Sequence, residues 1–330
     1  MPTNVQRRFL STKRILAITL LAAAATACGS DPKEKAESAT TTGSNSTTTK
    51  GDATPTFTGT LKVSAIPDQD PEKLLRTYGR FATYIETQVP GIKVEYVPVS
   101  DYQASVSSFR TGDLDLVWFG GLTGVQARNE IPGALTLAQR DIDAKFTSVF
   151  VASPDAGLDP ITDVAGLKTV GGHSFTFGSE SSTSGRVMPQ YFLGKAGVDV
   201  NSDLKGKAGF SGSHDKTIEL VTAGTFEVGA LNSSVWDKAV VAGTIDRTKI
   251  VEVFRTPTFF DYHWLAQPSL DAKFGAGFTE AMKQAILDLD GSGDGEAEIL
   301  ELFGAKKFIP TFPENYSQIE EIGKEIGVIR

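Results

Sequence analysis

From residue 61 onward, short apolar segments alternate with amphipathic segments of helical period. The segment LKVSAI has the pattern of a strand, and residues 71–89 place Leu, Tyr, Phe and Ile side chains on one helical face. The alternation continues through LDLVWF and SVFVAS, and later through FEVGALN and KIVEVF. Repeated strand–helix–strand units predict parallel sheets covered by helices. We therefore expect two α/β units, with a ligand cleft where their strand ends face each other.

The N-terminal part of the chain has a different composition. Basic residues up to Arg14 precede an apolar stretch at residues 15–25, which is too short to span a membrane, and small residues then lead to the only cysteine, Cys28. This pattern predicts an export signal at residues 1–27. It resembles bacterial lipoprotein signals, which implies a lipid on Cys28, and a plain secretory signal with an incidental cysteine is the alternative. Residues 28–58 are mainly Thr, Ser, Gly, Lys and Asp, which predicts a disordered tether.

Charge and cysteine content narrow the classes of partner. The net charge is −8, the isoelectric point is near 5.1, and no basic cluster follows residue 14, which argues against a nucleic-acid surface. A single cysteine excludes a disulfide within the chain, so its hydrophobic core must hold the fold. We expect a monomer that needs no cofactor.

The stretch SFTFGSESSTSGRVMPQYFL reads as a strand that leads into a helix through small hydroxyl residues. The first N–H groups of a helix lack intrahelical partners and carry a partial positive charge. Ser182, Thr183, Ser184 and Gly185 therefore form a candidate oxyanion seat. The alternative is an ordinary N-cap, in which one hydroxyl caps the helix and nothing binds.

Several ordered motifs carry a family resemblance: DYQASV, DLDLVWFGGLT, FGSESSTSG, SGSHD and TFFDYHW. Over residues 61–312 the chain resembles the phosphonate/phosphite-type solute-binding proteins of ABC importers. The resemblance implies the type II periplasmic-binding-protein fold, with two α/β lobes joined by two crossover segments around a cleft. We place lobe 1 at residues 59–150 and 258–330, and lobe 2 at residues 151–257. The implied function is capture of a small tetrahedral oxyanion for a membrane permease by a protein lipid-anchored at the outer face of the cell membrane.

The resemblance also implies roles for individual residues. The hydroxyls and backbone of residues 182–185 would bind the oxyanion, with His214 and Tyr102 as further donors. Asp261 matches an acid of the family, and a carboxylate beside an anion is repulsive unless the ligand carries a proton or a cation.

Departures from the family pattern indicate a small ligand. Aminoalkylphosphonate binders have a Glu where this chain has Ser234, and a second pocket tyrosine is replaced by Phe146. We place both in the pocket wall, together with Phe119. The lost amine partner favours phosphite, a simple phosphonate or phosphate. Relatives with the FGGLT, FTSVF and NSSVWDK segments are often labelled selenate-binding, although selenate offers Asp261 no proton.

Two alternatives belong to other functional classes. Ser184, His214 and Asp261 are the residue types of a hydrolase triad, but the chain lacks a G-x-S-x-G elbow, and we do not expect an enzyme. A surface lipoprotein without a ligand is the other alternative.

Acidic residues near the C-terminus have the spacing of a calcium loop. The candidate ligands are Asp290, Ser292, Asp294 and Glu301. The loop has Ala297 where a bulky aliphatic residue is usual, and no second loop pairs with it, so we favour a solvated acidic turn and predict no metal. His173 and His263 lack metal-ligand spacing and are interpreted as structural.

Overall fold

The computed structural model describes residues 56–329. The predicted signal at residues 1–27, Cys28 and most of the tether lie outside the described residues. The tether was expected to extend to residue 58, but Phe57 is buried and its ring lies 5.2 Å from that of Phe278. The folded part therefore includes Phe57. Burial of its aromatic side chain is favourable, although the polar composition around it predicts a tether. Within residues 56–329, no helix has the length and apolarity needed to cross a membrane.

Strands and helices alternate along the described chain. The strands are β1 (Gly59–Ala65), β2 (Ile92–Tyr96), β3 (Leu116–Phe119), β4 (Leu135–Arg140), β5 (Ser148–Ala152), β6 (Phe175–Phe177), β7 (Gly209–Phe210), β8 (Val228–Asn232), β9 (Val251–Arg255), β10 (His263–Ala266) and β11 (Phe308–Pro310). The α-helices are α1 (Pro71–Gln88), α2 (Tyr102–Arg110), α3 (Gly121–Glu130), α4 (Met188–Lys195), α5 (His214–Thr222), α6 (Ser233–Val241), α7 (Leu270–Phe274), α8 (Phe278–Leu287), α9 (Glu296–Phe303) and α10 (Ser317–Glu325).

The strands form two mixed sheets rather than the parallel sheets predicted. The first has the order β11-β4-β10-β3-β1-β2, and the second has the order β7-β6-β8-β5-β9. Strand β1 runs parallel to β2 and β3, but β10 is antiparallel to both β3 and β4. The reason is where the chain re-enters the first sheet. Residue His263 of β10 pairs with Phe119, the last residue of β3, so the returning chain starts at the carboxyl end of β3 and must run backwards.

Two crossover segments connect the sheets and lie side by side. Phe146 and Phe259 form an antiparallel bridge, with N–H to O distances of 2.8 and 2.9 Å. Strand β5 pairs along its whole length with β8 and from Val149 onward with β9, so the predicted boundary after residue 150 falls inside a strand of the second sheet. Strand pairing favours a boundary ahead of Ser148.

Residues 270–289 have apolar side chains at helical spacing, but they form two helices in the structure. Gly275 and Gly277 separate α7 from α8, and their φ angles of +124° and +83° are incompatible with a continuous right-handed helix. Apolar periodicity on both sides of this break hides it from a pattern-based prediction.

Candidate functional site

The helix α3 begins without a capping side chain of its own, and its first backbone N–H groups donate to side chains from other segments. Its N-cap residue, Gly120, follows β3 and has no side chain that could accept a hydrogen bond. The Gly121 N–H donates to Oδ1 of Asp261 at 3.0 Å, and the Leu122 N–H donates to Oγ1 of Thr183 at 2.9 Å. Thr183 follows the second sheet, so a hydrogen bond at this helix start joins the two halves of the fold.

Close approach at this point depends on glycine. A Cβ atom on Gly120 would lie 3.3 Å from Oγ1 of Thr183 and 3.4 Å from Oδ1 of Asp261. The first distance is tighter than ordinary van der Waals contact and the second is at its lower limit, so a larger residue would push the segments apart.

The segment after β6 caps itself. The hydroxyl of Ser182 accepts the Gly185 N–H at 2.9 Å, and its carbonyl accepts the N–H groups of Arg186 and Val187 at 3.1 and 3.0 Å. The last of these bonds spans five residues and makes a π-helical turn, Thr183–Val187, ahead of α4. The ordinary N-cap interpretation thus applies to Ser182, while the hydroxyl of Ser184 takes no part in capping.

Nine buried side-chain nitrogen and oxygen atoms have no hydrogen-bond partner among the described residues, and three of them belong to predicted ligand-binding residues from three segments. These three are Oη of Tyr102, Oγ of Ser184 and Oδ2 of Asp261, on residues that are at most 2% exposed. Tyr102 is the first residue of α2, held there because Asp101 accepts the Ala104 N–H at 2.8 Å. Buried polar atoms are costly unless they are hydrogen-bonded. Their unsatisfied state is what a site for a small polar ligand requires.

Burial changes the pKa values of two of these three residues, Asp261 and Tyr102. Burial raises the pKa of Asp261 to about 7, although the Gly121 N–H and the nearby hydroxyls of Ser184 and Thr183 act to lower it. Burial, followed by the charge of Asp68, raises the pKa of Tyr102 well above its ordinary value. Tyr102 therefore remains a neutral O–H donor, whereas Asp261 can change protonation state near neutral pH.

His214 lies behind the seat. Its Nδ1 accepts the Asn232 N–H at 3.3 Å, so the ring proton is on Nε2, which donates to Oη of Tyr262 at 3.3 Å. Burial lowers its pKa to about 4, which keeps the ring neutral. Its Cε1 atom lies 3.2 Å from where a Cβ on Gly185 would be. Both nitrogens are thus engaged within the protein, and the structure does not bring His214 to the three free atoms as a donor.

The geometry that the alternative hydrolase triad would need is not formed either. Across the described part of the chain, His214 makes no hydrogen bond to Ser184 or to Asp261. A nucleophile, base and orienting acid must be linked in this way for hydrolysis.

The sequence prediction missed a buried network beside the seat. The Tyr262 hydroxyl donates to Oδ2 of Asp68 at 2.8 Å and accepts a hydrogen bond from the Asn232 side chain at 3.0 Å. Burial raises the pKa of Asp68 to about 6, against the opposing effects of Tyr262 and the charge of Arg140. One signal was available, because Asp68 follows β1 at its carboxyl end, the edge at which ligands bind in α/β folds.

The predicted pocket-wall residues are not gathered at one place. Phe146 is buried with its ring 5.7 Å from that of Tyr262, while Phe119 packs in the core at 5.7 Å from Phe109. Ser234 lines a separate groove between the two sheets' helices, beside Lys238. Phe146 also borders this groove.

The acidic loop after α8 is organised by its own backbone. Asp290 accepts the Ser292 N–H at 2.9 Å, and Glu296 accepts the Gly291 N–H at 3.1 Å. No cluster of three or more His, Cys, Asp or Glu side chains in residues 56–329 has the arrangement of a metal site. The calcium interpretation of Asp290, Ser292, Asp294 and Glu301 therefore rests on their spacing in the sequence.

Comparisons with known proteins agree with this architecture. Residues 63–316 match the family model described as ABC transporter, phosphonate, periplasmic substrate-binding protein. The chain is 48% identical over 271 residues to a probable ABC transporter phosphite binding protein, PhnD1, of Prochlorococcus marinus, covering 82% of this chain and 91% of the relative. It is 27% identical over 205 residues to the phosphate-import protein PhnD of Mycolicibacterium smegmatis, covering 59% of this chain and 60% of the relative.

A solved structure of Prochlorococcus marinus PhnD1 in complex with methylphosphonate superimposes with a TM-score of 0.80 at 47% identity, covering 82% of this chain and 99% of that one. The type II periplasmic-binding-protein fold is thereby confirmed, and the relatives are substrate-binding proteins rather than enzymes. The chain therefore belongs to the phosphonate-type periplasmic substrate-binding protein family and is the substrate-binding component of an ABC importer.

Proposed function

We propose that this protein captures a small tetrahedral oxyanion without an ammonium group, such as methylphosphonate or phosphite, and delivers it to the permease. The observation that carries the proposal is the set of three unpartnered buried atoms on Tyr102, Ser184 and Asp261. Two of them are hydroxyls that can donate to an anion, and both halves of the fold contribute. The relatives named for phosphite and solved with methylphosphonate support this ligand class.

The donors surround an oxyanion from two directions. The hydroxyl of Ser184 and the first N–H groups of the π-helical turn would hold it from the second sheet, and the Tyr102 hydroxyl from the first. His214 supports the seat through Gly185 and Tyr262 and would not touch the ligand.

Asp261 requires one proton in the site. An ionised Oδ2 would repel the oxyanion, so either the ligand or the carboxyl group must carry a hydrogen. Since the pKa of Asp261 is raised to about 7, the carboxyl group can supply it. A fully ionised anion such as selenate therefore remains a ligand to be tested, and its lack of a proton does not rule it out.

Closure is held by hydrogen bonds between the two halves of the fold. Besides the bond from Leu122 to Thr183, the Gln103 side chain donates to Oγ of Ser181 at 2.6 Å, and the His214 N–H donates to the Asp68 carbonyl at 2.9 Å. A ligand that meets Tyr102 and Ser184 together would favour this closed arrangement over an open one.

The anchoring is proposed from the sequence. Export through residues 1–27 and lipidation of Cys28 would hold the protein at the outer face of the membrane, with the segment from residue 28 linking the lipid to the folded part. We propose that the lipid is its only membrane contact and that it acts as a monomer.

The test is a thermal-shift and calorimetry panel of phosphite, methylphosphonate, phosphate, sulfate, selenate and 2-aminoethylphosphonate. A ligand present at 100 times its Kd should stabilise the protein by about 2.7 kcal/mol. We expect methylphosphonate or phosphite to bind most tightly. Tightest binding of 2-aminoethylphosphonate would contradict the ligand class, no shift with any anion would favour the ligandless lipoprotein, and turnover of a phosphoester that is lost in Ser184→Ala would favour the hydrolase.

A further inference from the structure

Asp261 and His263 lie two residues apart at the entry to β10 and both contact α3. Asp261 accepts the Gly121 N–H, and the ring of His263 lies under Gly124, three residues further along the helix. Residues two apart in an extended chain point to the same side, and residues three apart in a helix lie on the same face. The chain therefore holds the first turn of α3 at two successive points.

At the second point, Gly124 and the ring of His263 are in close contact. A Cβ atom on Gly124 would overlap the Cε1 and Nε2 atoms of the His263 ring. The ring cannot easily retreat, because it is fully buried and packs on Tyr316 with centroids 4.1 Å apart. Tyr316 is itself fixed by hydrogen bonds to Gln139 at 3.0 Å and to Thr311 at 3.1 Å.

The distance between α3 and β10 affects the candidate site because α3 begins there. The Leu122 N–H reaches Thr183, and Gly120 lies close to both Thr183 and Asp261. A shift of a few tenths of an ångström at Gly124 would be carried to this start, since a helix moves as a rigid element over one turn.

We propose that His263 is a positioning residue, which sets, through direct contact with Gly124, where the start of α3 meets the oxyanion site. This inference rests on the proposed function and adds a specific device to it. The interpretation of His263 as merely structural is thereby sharpened, because its ring would govern affinity without touching the ligand. Burial lowers the pKa of His263 to about 3, so the ring acts as a neutral, flat support at physiological pH.

The test uses one variant that creates a steric clash and a double variant that removes it. Gly124→Ala should lower the affinity for methylphosphonate at least tenfold by calorimetry, and Gly124→Ala combined with His263→Ala should recover most of that loss, because the smaller residue makes room for the methyl group. Gly194→Ala is the matched control. Gly194 is an exposed helical glycine of α4 with nothing within 4 Å of an added Cβ, so this variant should bind as the wild type does.

A second measurement does not depend on binding. Amide hydrogen exchange at Gly121 and Leu122 should accelerate in Gly124→Ala and return toward the wild-type rate in the double variant. Wild-type affinity and exchange in Gly124→Ala, or a double variant no better than the single one, would overturn the inference. If Gly124→Ala did not fold, a double variant that folds and binds would still support it, and one that fails as well would overturn it. If the wild type bound no anion, the proposed function would fail, and the exchange rates alone would decide this inference.

Discussion

Two helix starts face each other at the candidate site, and they satisfy their backbone in opposite ways. The segment after β6 is capped by its own Ser182, which leaves the hydroxyl of Ser184 free. The start of α3 has no side chain at Gly120 and borrows acceptors from Asp261 and Thr183. One start thus takes its side-chain cap from its own segment, whereas part of the other is completed only when the two halves of the fold meet. We infer that the Ser182 segment is a preformed seat and that the α3 start responds to closure.

The largest expected effect comes from filling the space between the two starts. Gly120→Val would place branched methyl groups where even a Cβ lies 3.3 Å from Thr183. We expect the affinity for methylphosphonate to fall by at least about 100-fold, because overpacking of this size costs about 1–3 kcal/mol or more. The φ angle of −74° suits valine, so the unliganded protein should remain folded. Calorimetry with circular dichroism checks both parts, and unchanged affinity would mean that closure does not need this approach.

Two alanine variants, at Ser184 and Ser182, separate the binding role of the seat from its structural role. Ser184→Ala removes a hydroxyl that has no protein partner, so affinity should fall about 10- to 100-fold while unliganded stability holds or rises. Ser182→Ala removes the cap on Gly185 and should cost about 1 kcal/mol of unfolding free energy. Calorimetry and urea denaturation of both variants measure the contrast. If Ser184→Ala lost stability but kept affinity, the free hydroxyl would not belong to a binding site.

The pH dependence of binding tests Asp261. Its pKa of about 7 in the folded protein lies above the ordinary 3.8. Above pH 7 the carboxylate is charged beside the anion, so affinity should fall about tenfold per pH unit. Asp261→Asn keeps an acceptor for the Gly121 N–H and cannot ionise, so the ratio of the two affinities cancels the titration of the ligand. A ratio that stays constant from pH 6 to 9 would exclude a proton on Asp261.

The same shift has a consequence for unliganded stability. A raised pKa means that the contribution of Asp261 is fully present below pH 3.8 and is lost as the pH rises through about 7. Asp261→Asn should remove this loss.

The smallest expected effect concerns the hydrogen bond from the Leu122 N–H to Thr183, which links the two helix starts. Thr183→Val keeps the shape but leaves the Leu122 N–H without its acceptor, which should cost about 1 kcal/mol of closure, or about fivefold in affinity. Thr183→Ser retains the hydroxyl and is the matched control. Equal affinities of the valine and serine variants would show that this bond does not report closure.

Local signals in the sequence predicted much of the fold. An aspartate ahead of an amphipathic segment is a typical helix N-cap, and Asp101 accepts the Ala104 N–H at the start of α2 in this way. The ends of α1, predicted over residues 71–89, differ by one residue from Pro71–Gln88. Such elements carry their own caps and apolar faces, so their neighbours do not need to be known.

What the sequence could not supply depends on contacts between distant segments. Strands β10 and β11 have four and three residues, too few for a periodic pattern. The partners of His214 are Asn232 and Tyr262, which only the tertiary structure brings together. The hydroxyl run at residues 182–185 could be located from its sequence, but which hydroxyl caps and which stays free is decided by the π-helical turn.

The position of β10 also fixes the order in which the first sheet can be assembled. Strands β3 and β4 are not neighbours and are joined only through β10. Since a chain is synthesised from its N-terminus, everything up to residue 262 must emerge before the gap in this sheet can be filled. Pairings over such sequence distances form slowly, so the edges of β3 and β4 that pair with β10 stay unpaired for much of the folding of the first sheet. The residue beside the candidate oxyanion site, Asp261, comes just before this strand, so the segment that fills the gap in the sheet also brings Asp261 to the site.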